Sequence, residues 1–494
     1  MVVGIAATVP IVVYVATAPA RLRYPYDLHW MEGSSVDIAR RVSLAEPLYT
    51  APTLDFVSWP YPPLYYWVAG GLSWIIGPGY LPLRLVSLAA ALAVLGLVAV
   101  IVTRRTGHAL AGLVAAGAYA GTFQLSGSWA DIGRVDSLML ALLLAGVVAA
   151  QRASTIRHGL LVGLLLGAAV MTKQNAVLVA LPLLAVTGWR HRRVLWSAVP
   201  AFVAAVLVPS AIEQWRSDGW YAEVVGLQLL GHGVAADRIL GFWPADVVAP
   251  LAGLVLVVSW ATVARRRQTG AGGWRAVAGD VELVACVGLL LIAWSGRLHD
   301  GGFRNVLMPA YAAVAILTGL ALAWLWRDGR LRGRRPAGVV AAVLAIQLGL
   351  LSLPWLPLVP TEADRVAGDA FVQAVAATPG RVVVLGHPWY AELAGKGTSA
   401  HVIGLTDVAT GGSARARDAL ASALPPGLAG VDVVILDEVG DGALLQPGLD
   451  RDFVQVSAAA VSGDGFWPIS DLRRRPTYVY VRRTAGPEVA APWR

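Results

Sequence analysis

The chain has 494 residues, of which 57% are hydrophobic and only 14% charged, and its mean hydropathy is +0.62. Soluble domains carry about 25% charged residues, so apolar runs this long and this many describe a polytopic membrane protein, not a water-soluble globule. The net charge of +8 sits in short Arg clusters between apolar runs, which is how topogenic signals are placed and excludes a nucleic-acid surface; the single cysteine, Cys286, excludes an intramolecular disulfide and a cysteine metal cluster.

In chain order, residues 1–20 form an apolar run with no basic residue ahead of it, which reads as an uncleaved first span and not a signal peptide. An outer loop follows at 21–81. It keeps Asp27, Glu32, Asp37, Arg40, Arg41, Glu46 and Asp55 beside a membrane span, an arrangement that points to use. Basic clusters then recur at 104–105, 152–157, 190–193, 265–267 and 327–335. Taken as cytoplasmic markers, they place spans near 82–103, 108–126, 136–151, 159–172, 175–189, 194–212, 246–264, 280–296, 305–326 and 338–358. With the first run this makes about 11 transmembrane helices, N-terminus inside and C-terminus outside.

Parity constrains the segment 62–77, PPLYYWVAGGLSWIIG. If it crossed, every later basic cluster would face outward, so it is expected as an amphipathic helix on the outer interface, where Tyr and Trp are at home. The spans 159–172 and 175–189 are short and meet at Thr172-Lys173-Gln174, as a broken pair would. The long outer loop 214–244 carries Trp215, Trp220, Tyr221, His232, Asp237 and Arg238, and reads either as a cover over a site or as a passive connection.

Beyond residue 359 charge rises and periodicity changes. Residues 364–376 read as a helix, and RVVVL (381–385), VDVVIL (431–436) and TYVYV (477–481) as short strands. The expectation is a transmembrane domain over 1–359 and a small extracytoplasmic α/β domain over 360–494. No phosphate-binding glycine motif follows any of these strands.

Ionisable residues at a membrane are costly and default to a functional reading. By this topology Asp27, Glu32, Arg134, Asp136, Lys173, His299 and Arg304 gather at the outer face. A partly desolvated carboxylate, Glu32 or Asp27, suits a general base acting on an acceptor hydroxyl; the plainer reading of Glu32 is a helix cap before SVDIARRV. Lys173 is placed to meet a lipid phosphate or to snorkel to the interface. Arg304, with His299 and Asp300, either binds phosphate or pairs within its own loop. Arg134 and Asp136 read as structural or substrate-positioning. Tyr61 and Tyr65 in the YPPLYYW run either stack on a sugar or pack on lipid. Acids are present, but no ligand cluster defines a metal site, and a divalent metal stays open.

These stretches then resemble a known family. DLHWMEG, EPLYTAP, YPPLYYW and PLRLVSLAAAL, followed by GRVDSLMLALLL, MTKQNAVLVALP and FRNVLMPAYAAVA, are similar in order and topology to the GT-C superfamily of membrane glycosyltransferases, in the branch of protein O-mannosyltransferases and the lipid A aminoarabinose transferase. The likeness covers most of residues 1–358. It implies inverting transfer from a polyprenyl-phosphate sugar at the outer face of a plasma or inner membrane. The acceptor would be a lipid, a glycan or a protein. A first-loop acid (Glu32 or Asp27) would be the base, and Lys173 and Arg304 would contact the donor phosphate. The adjacent Asp-Glu pair of the family's first loop is missing, and so is a WWDYG-type motif, which argues against N-glycosylation. The competing readings are a lipid-linked-sugar flippase, which predicts inverted repeats and midplane polar residues, and a non-catalytic binding subunit.

Overall fold

The computed structural model describes residues 2–227, 233–269, 279–299, 301–354 and 357–493. A helix stands in each of the eleven expected spans. The first nine helices of the chain are α1 (Val2–Arg23), α2 (Glu32–Ser43), α3 (Leu64–Ile76), α4 (Tyr80–Thr106), α5 (Ala109–Gly121), α6 (Asp136–Gln151), α7 (Ile156–Val170), α8 (Val177–Arg190) and α9 (Arg192–Arg216). The remaining apolar helices are Ala252–Thr269, Val281–Leu298, Met308–Arg327 and Arg334–Ser352.

Among the described residues, six helices are long and apolar enough to cross a membrane: α1, α4, α9, Val281–Leu298, Arg304–Arg327 and Arg334–Ser352. A seventh crosses if the bent pair Asp237–Val248 and Ala252–Gln268 counts as one. That pair corrects the span expected at 246–264. The chain turns by 96° between its halves, so the straight helix begins at Ala252 and the preceding π-helical turn, Phe242–Val248, runs across it.

The lipid-facing surface is legible from what it exposes. On α9, Trp196 and Trp215 are 80% and 81% exposed, and Leu207, Val208 and Ile212 lie open beside them. Water would not tolerate such a stripe on a monomer; hydrocarbon does. The inner side of α9 packs on α7 through Gly159, Gly163 and Gly167, four residues apart and so on one face. A Cβ at Gly163 would sit 2.1 Å from the Ala198 carbonyl oxygen, so only glycine lets these backbones meet, as small residues do throughout membrane bundles.

The basic clusters converge at one end of the bundle. Arg105 pairs with Asp280 at 2.6 Å, His108 stacks on Trp326, and Gln268 bonds Asp328 at 2.9 Å. Loop 1 closes the other end. There α3, 13 residues long, reaches only about 20 Å at 1.5 Å per residue, short of the roughly 30 Å hydrocarbon layer. It lies against α2, its Trp74 indole donating to the Ser43 carbonyl at 2.5 Å.

Loop 1 is pinned by two buried arginines. Arg21 grips Asp131 through Nε and Nη2 at 2.7 and 2.8 Å and donates to the Ser128 and Leu358 carbonyls. Arg84 pairs with Glu32 and donates to the Arg21, Tyr24 and Tyr26 carbonyls.

The C-terminal region carries a four-stranded sheet of order β1-β2-β4-β3, made of β1 (Val382–Val384), β2 (Val433–Leu436), β3 (Phe453–Ser457) and β4 (Tyr478–Arg482). β1 and β2 run parallel, Val383 opposite Val434, and the other pairings are antiparallel. The continuous runs VVV and VVIL are buried on both faces, as helix-covered parallel strands are. Three of these strands lie where the alternation placed them; β3, exposed along much of its length and bulged between Gln455 and Ser457, carried no such signal.

This region sits directly on loop 1. Tyr26 donates to Asp369 at 2.6 Å, the Ile469 and Ser470 amides donate to the Leu28 carbonyl, and Ala400 donates to the Leu54 carbonyl. Trp30 is fully buried between the His401 ring and the Arg474 guanidinium.

Candidate active site

A cavity of about 580 Å³ opens between loop 1, the α7–α8 break, the start of Met308–Arg327 and the helix Val402–Gly411. Its size is that of small-molecule sites. Arg134, on the short turn before α6, is its central cation. The guanidinium carbon lies 5.4 Å from the Trp59 ring, 5.2 Å from Tyr61 and 5.4 Å from Trp129. Nη2 donates to the Tyr61 hydroxyl at 3.0 Å, whereas Nε and Nη1 are enclosed and have no partner. Leaving a charged donor unpaired and buried costs free energy, and the surrounding π faces offset only part of it. Such a guanidinium is prepared for an anion.

Lys173 lines the same cavity from the break between α7 and α8, where a single 3-10 turn, Gln174–Ala176, restarts the helix. Gln174 ties that break to loop 1 through the Pro60 carbonyl at 2.8 Å. The Lys173 ammonium binds Asp136 Oδ1 at 2.7 Å, and Asn305 donates to the same oxygen at 3.0 Å. Asp136 thus aims two cavity residues without lining the cavity itself. The Trp59 and Trp129 indole N–H groups and the Gln174 and Asn175 side-chain oxygens also lack protein partners. A wall that combines aromatic faces with free donors and acceptors suits a polyhydroxylated ring.

The opposite wall is Ile403, Thr406, Asp407 and Thr410, one face of the helix Val402–Gly411. Burial alone raises the Asp407 carboxyl to about 7.

The structure brings together part of the set expected from sequence: Arg134, Lys173, His299 and Tyr61 line the cavity, with Asp136 just behind. It places the others elsewhere. Glu32 is fully buried and its carboxylate is saturated: Oε1 accepts from Arg84 Nε and the Gly133 amide, Oε2 from Arg84 Nη2 and the Leu28 amide, at 2.7–2.9 Å. Asp27 faces away from the cavity, toward the C-terminal region, where His387 Nδ1 lies 2.7 Å from its Oδ2. Tyr65 turns into α4, its hydroxyl meeting the Leu83 carbonyl and Ser87. Arg304 is half-exposed outside the cavity and approaches Asp471 at 3.7 Å; its neighbours Phe303 and Asn305 line the wall instead. Asp300 and His232 lie outside the described residues.

Sequence reasoning missed Asn305, Trp59, Trp129 and Asp407. Asp407 alone carried a readable signal, an isolated acid inside the apolar helix VIGLTDVATG with Thr406 and Thr410 at helical spacing. It also missed the Asp27–His387–Asp437 line. Burial raises the Asp27 carboxyl against its His387 bond. Burial also disfavours the His387 imidazolium, but the Asp437 and Asp27 carboxylates outweigh that and push its pKa up to about 10. No group of three or more His, Cys, Asp or Glu among the described residues is placed to hold a metal.

Residues 61–212 match the family described as dolichyl-phosphate-mannose-protein mannosyltransferase. The whole chain superposes on ArnT from Cupriavidus metallidurans in its apo state with a TM-score of 0.54, covering 98% of both chains. The chain has the fold of ArnT. ArnT bound to undecaprenyl phosphate superposes with a TM-score of 0.53 over the same share of both chains, and sequence identity to either structure is 15%. The Archaeoglobus fulgidus oligosaccharyltransferase in complex with Zn and sulfate superposes with a TM-score of 0.50 at 11% identity, over 88% of this chain and 68% of that one. No curated protein matches the sequence.

Proposed function

We propose that the enzyme transfers a sugar from a polyprenyl-phosphate donor to an acceptor hydroxyl, with inversion, on the extracytoplasmic face. The observation that carries this reading is the caged, half-unpartnered Arg134 beside Lys173 in a cavity of about 580 Å³. The family that matches 61–212 acts, by its description, on dolichyl-phosphate mannose, and ArnT binds undecaprenyl phosphate. The same class of lipid suits this cavity. The donor phosphate contacts Arg134 and Lys173, while Asn305 and Tyr61 complete its shell. The sugar lies among Trp59, Trp129, Gln174 and Asn175.

The acceleration comes chiefly from two sources. The cations stabilise the charge that builds on the departing phosphate in a site screened from water, and the enclosure holds acceptor and donor in line. A carboxylate at the cavity takes the acceptor's proton. Neither Glu32 nor Asp27 lines the cavity: Glu32 has no lone pair left for a substrate, and Asp27 ties loop 1 to the C-terminal region. The orientation follows from the basic helix ends, which gather opposite loop 1 and stay cytoplasmic under the positive-inside rule. The acceptor is a lipid, a glycan or a protein presented from outside.

The test is to supply labelled undecaprenyl-phosphate sugars to protein in nanodiscs with membrane acceptors, and to titrate undecaprenyl phosphate by the fluorescence of the cavity tryptophans. Transfer from at least one donor is expected, with saturable quenching. No transfer across the panel and no quenching overturns the reading.

A further inference from the structure

Asp407 is the one carboxylate among the described residues that lines the cavity. It stands on Val402–Gly411 with Ile403, Thr406 and Thr410, positions i−4, i−1 and i+3, so a single helix face forms this wall. The Thr406 and Thr410 hydroxyls donate to carbonyls one turn back, at 2.9 and 2.8 Å, which leaves their lone pairs toward the cavity as acceptors.

The helix is seated on loop 1 with little freedom. His401 Nδ1 accepts the Ile403 amide at 3.1 Å, and its Nε2 therefore donates to the Trp30 carbonyl at 3.2 Å. A Cβ at Gly404 would lie 2.5 Å from Val57 Cγ1. Loop 1 thus fixes where Asp407 stands.

Asp407 makes no hydrogen bond or ion pair with any described residue. Cations elsewhere at the site are matched: Lys173 by Asp136, and Arg415 on the adjacent helix by Glu223. Across the cavity stand Arg134, Lys173 and His299.

Resting on the donor-phosphate reading above, we infer that Asp407 is the general base of the transfer. Its carboxylate takes the proton of the acceptor hydroxyl. The freed oxygen pair forms the new bond to the anomeric carbon. The bond from that carbon to the phosphate oxygen breaks, and its electron pair leaves with the polyprenyl phosphate, held by Arg134 and Lys173. Asp407 then returns the proton to solvent through the open side of the cavity. A carboxyl raised to about 7 matches this duty, since a base works best near the operating pH.

The base is thus delivered by the C-terminal region and not by loop 1, whose Glu32 is saturated by Arg84 and two backbone amides and whose Asp27 does not line the cavity. It also means that removing Asp407 need not disturb the donor site, which belongs to the membrane helices and loop 1.

The experiment compares wild type, Asp407→Asn and Asp407→Glu, full-length in nanodiscs, with a labelled undecaprenyl-phosphate sugar that the wild type uses. Undecaprenyl phosphate binding is read in parallel and reports that each variant is folded. Asp407→Asn is expected to lower kcat by about 10²-fold or more with undecaprenyl phosphate affinity within about threefold of wild type. Asp407→Glu should recover part of the rate. Wild-type kcat should rise with pH through about 7, and the residual rate of Asp407→Asn should lose that rise; the charged groups facing the carboxylate are Arg134, Lys173 and His299 on the cavity lining, and Arg417, Asp418 and Asp441 on the elements packed against Val402–Gly411. Wild-type transfer that Asp407→Asn leaves within a few-fold overturns the base. A wild type that neither binds undecaprenyl phosphate nor transfers sugar overturns the donor reading, and the base with it.

Discussion

Replacing Glu32 by glutamine separates a structural carboxylate from a catalytic one. The side chain keeps its shape and loses its charge. In the wild type the carboxylate accepts four hydrogen bonds, two from Arg84 and one each from the Leu28 and Gly133 amides. Glutamine retains one oxygen and so two of these bonds. Its NH2 group is then forced against the other two donors, which have nowhere else to go because both side chains of the pair are fully buried. Bonds to charged groups contribute about 1.5–3 kcal/mol each, so two lost bonds cost roughly 3–6 kcal/mol. That agrees with the roughly 3–5 kcal/mol lost when one partner of a buried ion pair is removed. It is a large share of the total stability of an ordinary domain. The expected result is a marked fall in folded yield and in apparent Tm, followed by thiol-reactive dye or light scattering in detergent. Undecaprenyl phosphate, added in excess, should return part of the stability. The double variant Glu32→Gln/Arg84→Met, which also removes the orphaned guanidinium, should be more stable than Arg84 left alone with glutamine. A Glu32→Gln protein with wild-type Tm and transfer lowered by 10²-fold or more would refute the reasoning and return the base to loop 1.

Other perturbations probe the remaining joints. Arg134→Ala should weaken undecaprenyl phosphate binding by at least tenfold, and Arg134→Lys should not restore it, because an ammonium cannot occupy a cage shaped for a planar guanidinium; quenching titrations decide this. Gly404→Val should collide with Val57 and lift the helix that carries Asp407, lowering transfer while undecaprenyl phosphate affinity holds; equal loss of both would place that helix in donor binding. His387 has a folded pKa near 10 against an ordinary value of 6.5, so its stabilisation is complete below about 6.5 and is lost as pH climbs toward 10. Asp27, also raised, has the same sign at lower pH. Apparent Tm should therefore fall between pH 6.5 and 10 in the wild type and fall less steeply in His387→Gln; parallel slopes would remove the Asp27–His387–Asp437 line as the cause.

The bundle was readable in the linear sequence because its determinants are local. Apolar length and Arg clusters at helix ends need no knowledge of neighbours, and each of the eleven expected spans contains a helix, six of them, or seven with the bent pair, long and apolar enough to cross a membrane. The strands VVV, VVIL and YVYVR announce themselves in the same way. The bend before Ala252 did not, because composition on either side of it is equally apolar and only packing sets its 96°.

The site divides differently. Sequence showed which acids and bases sit near the loop 1 end of the bundle, since charge beside an apolar run is visible in one dimension. It did not show which of them have a free lone pair. Glu32 and Asp27 look alike in DLHWMEG. Only the fold brings Arg84, 52 positions away, onto the first and His387, 360 positions away, onto the second. By the same means it empties the surroundings of Arg134 and Asp407. Sequence thus decided where charge is carried, and tertiary structure decided which charges are satisfied, because satisfaction depends on partners that only folding brings within about 3 Å.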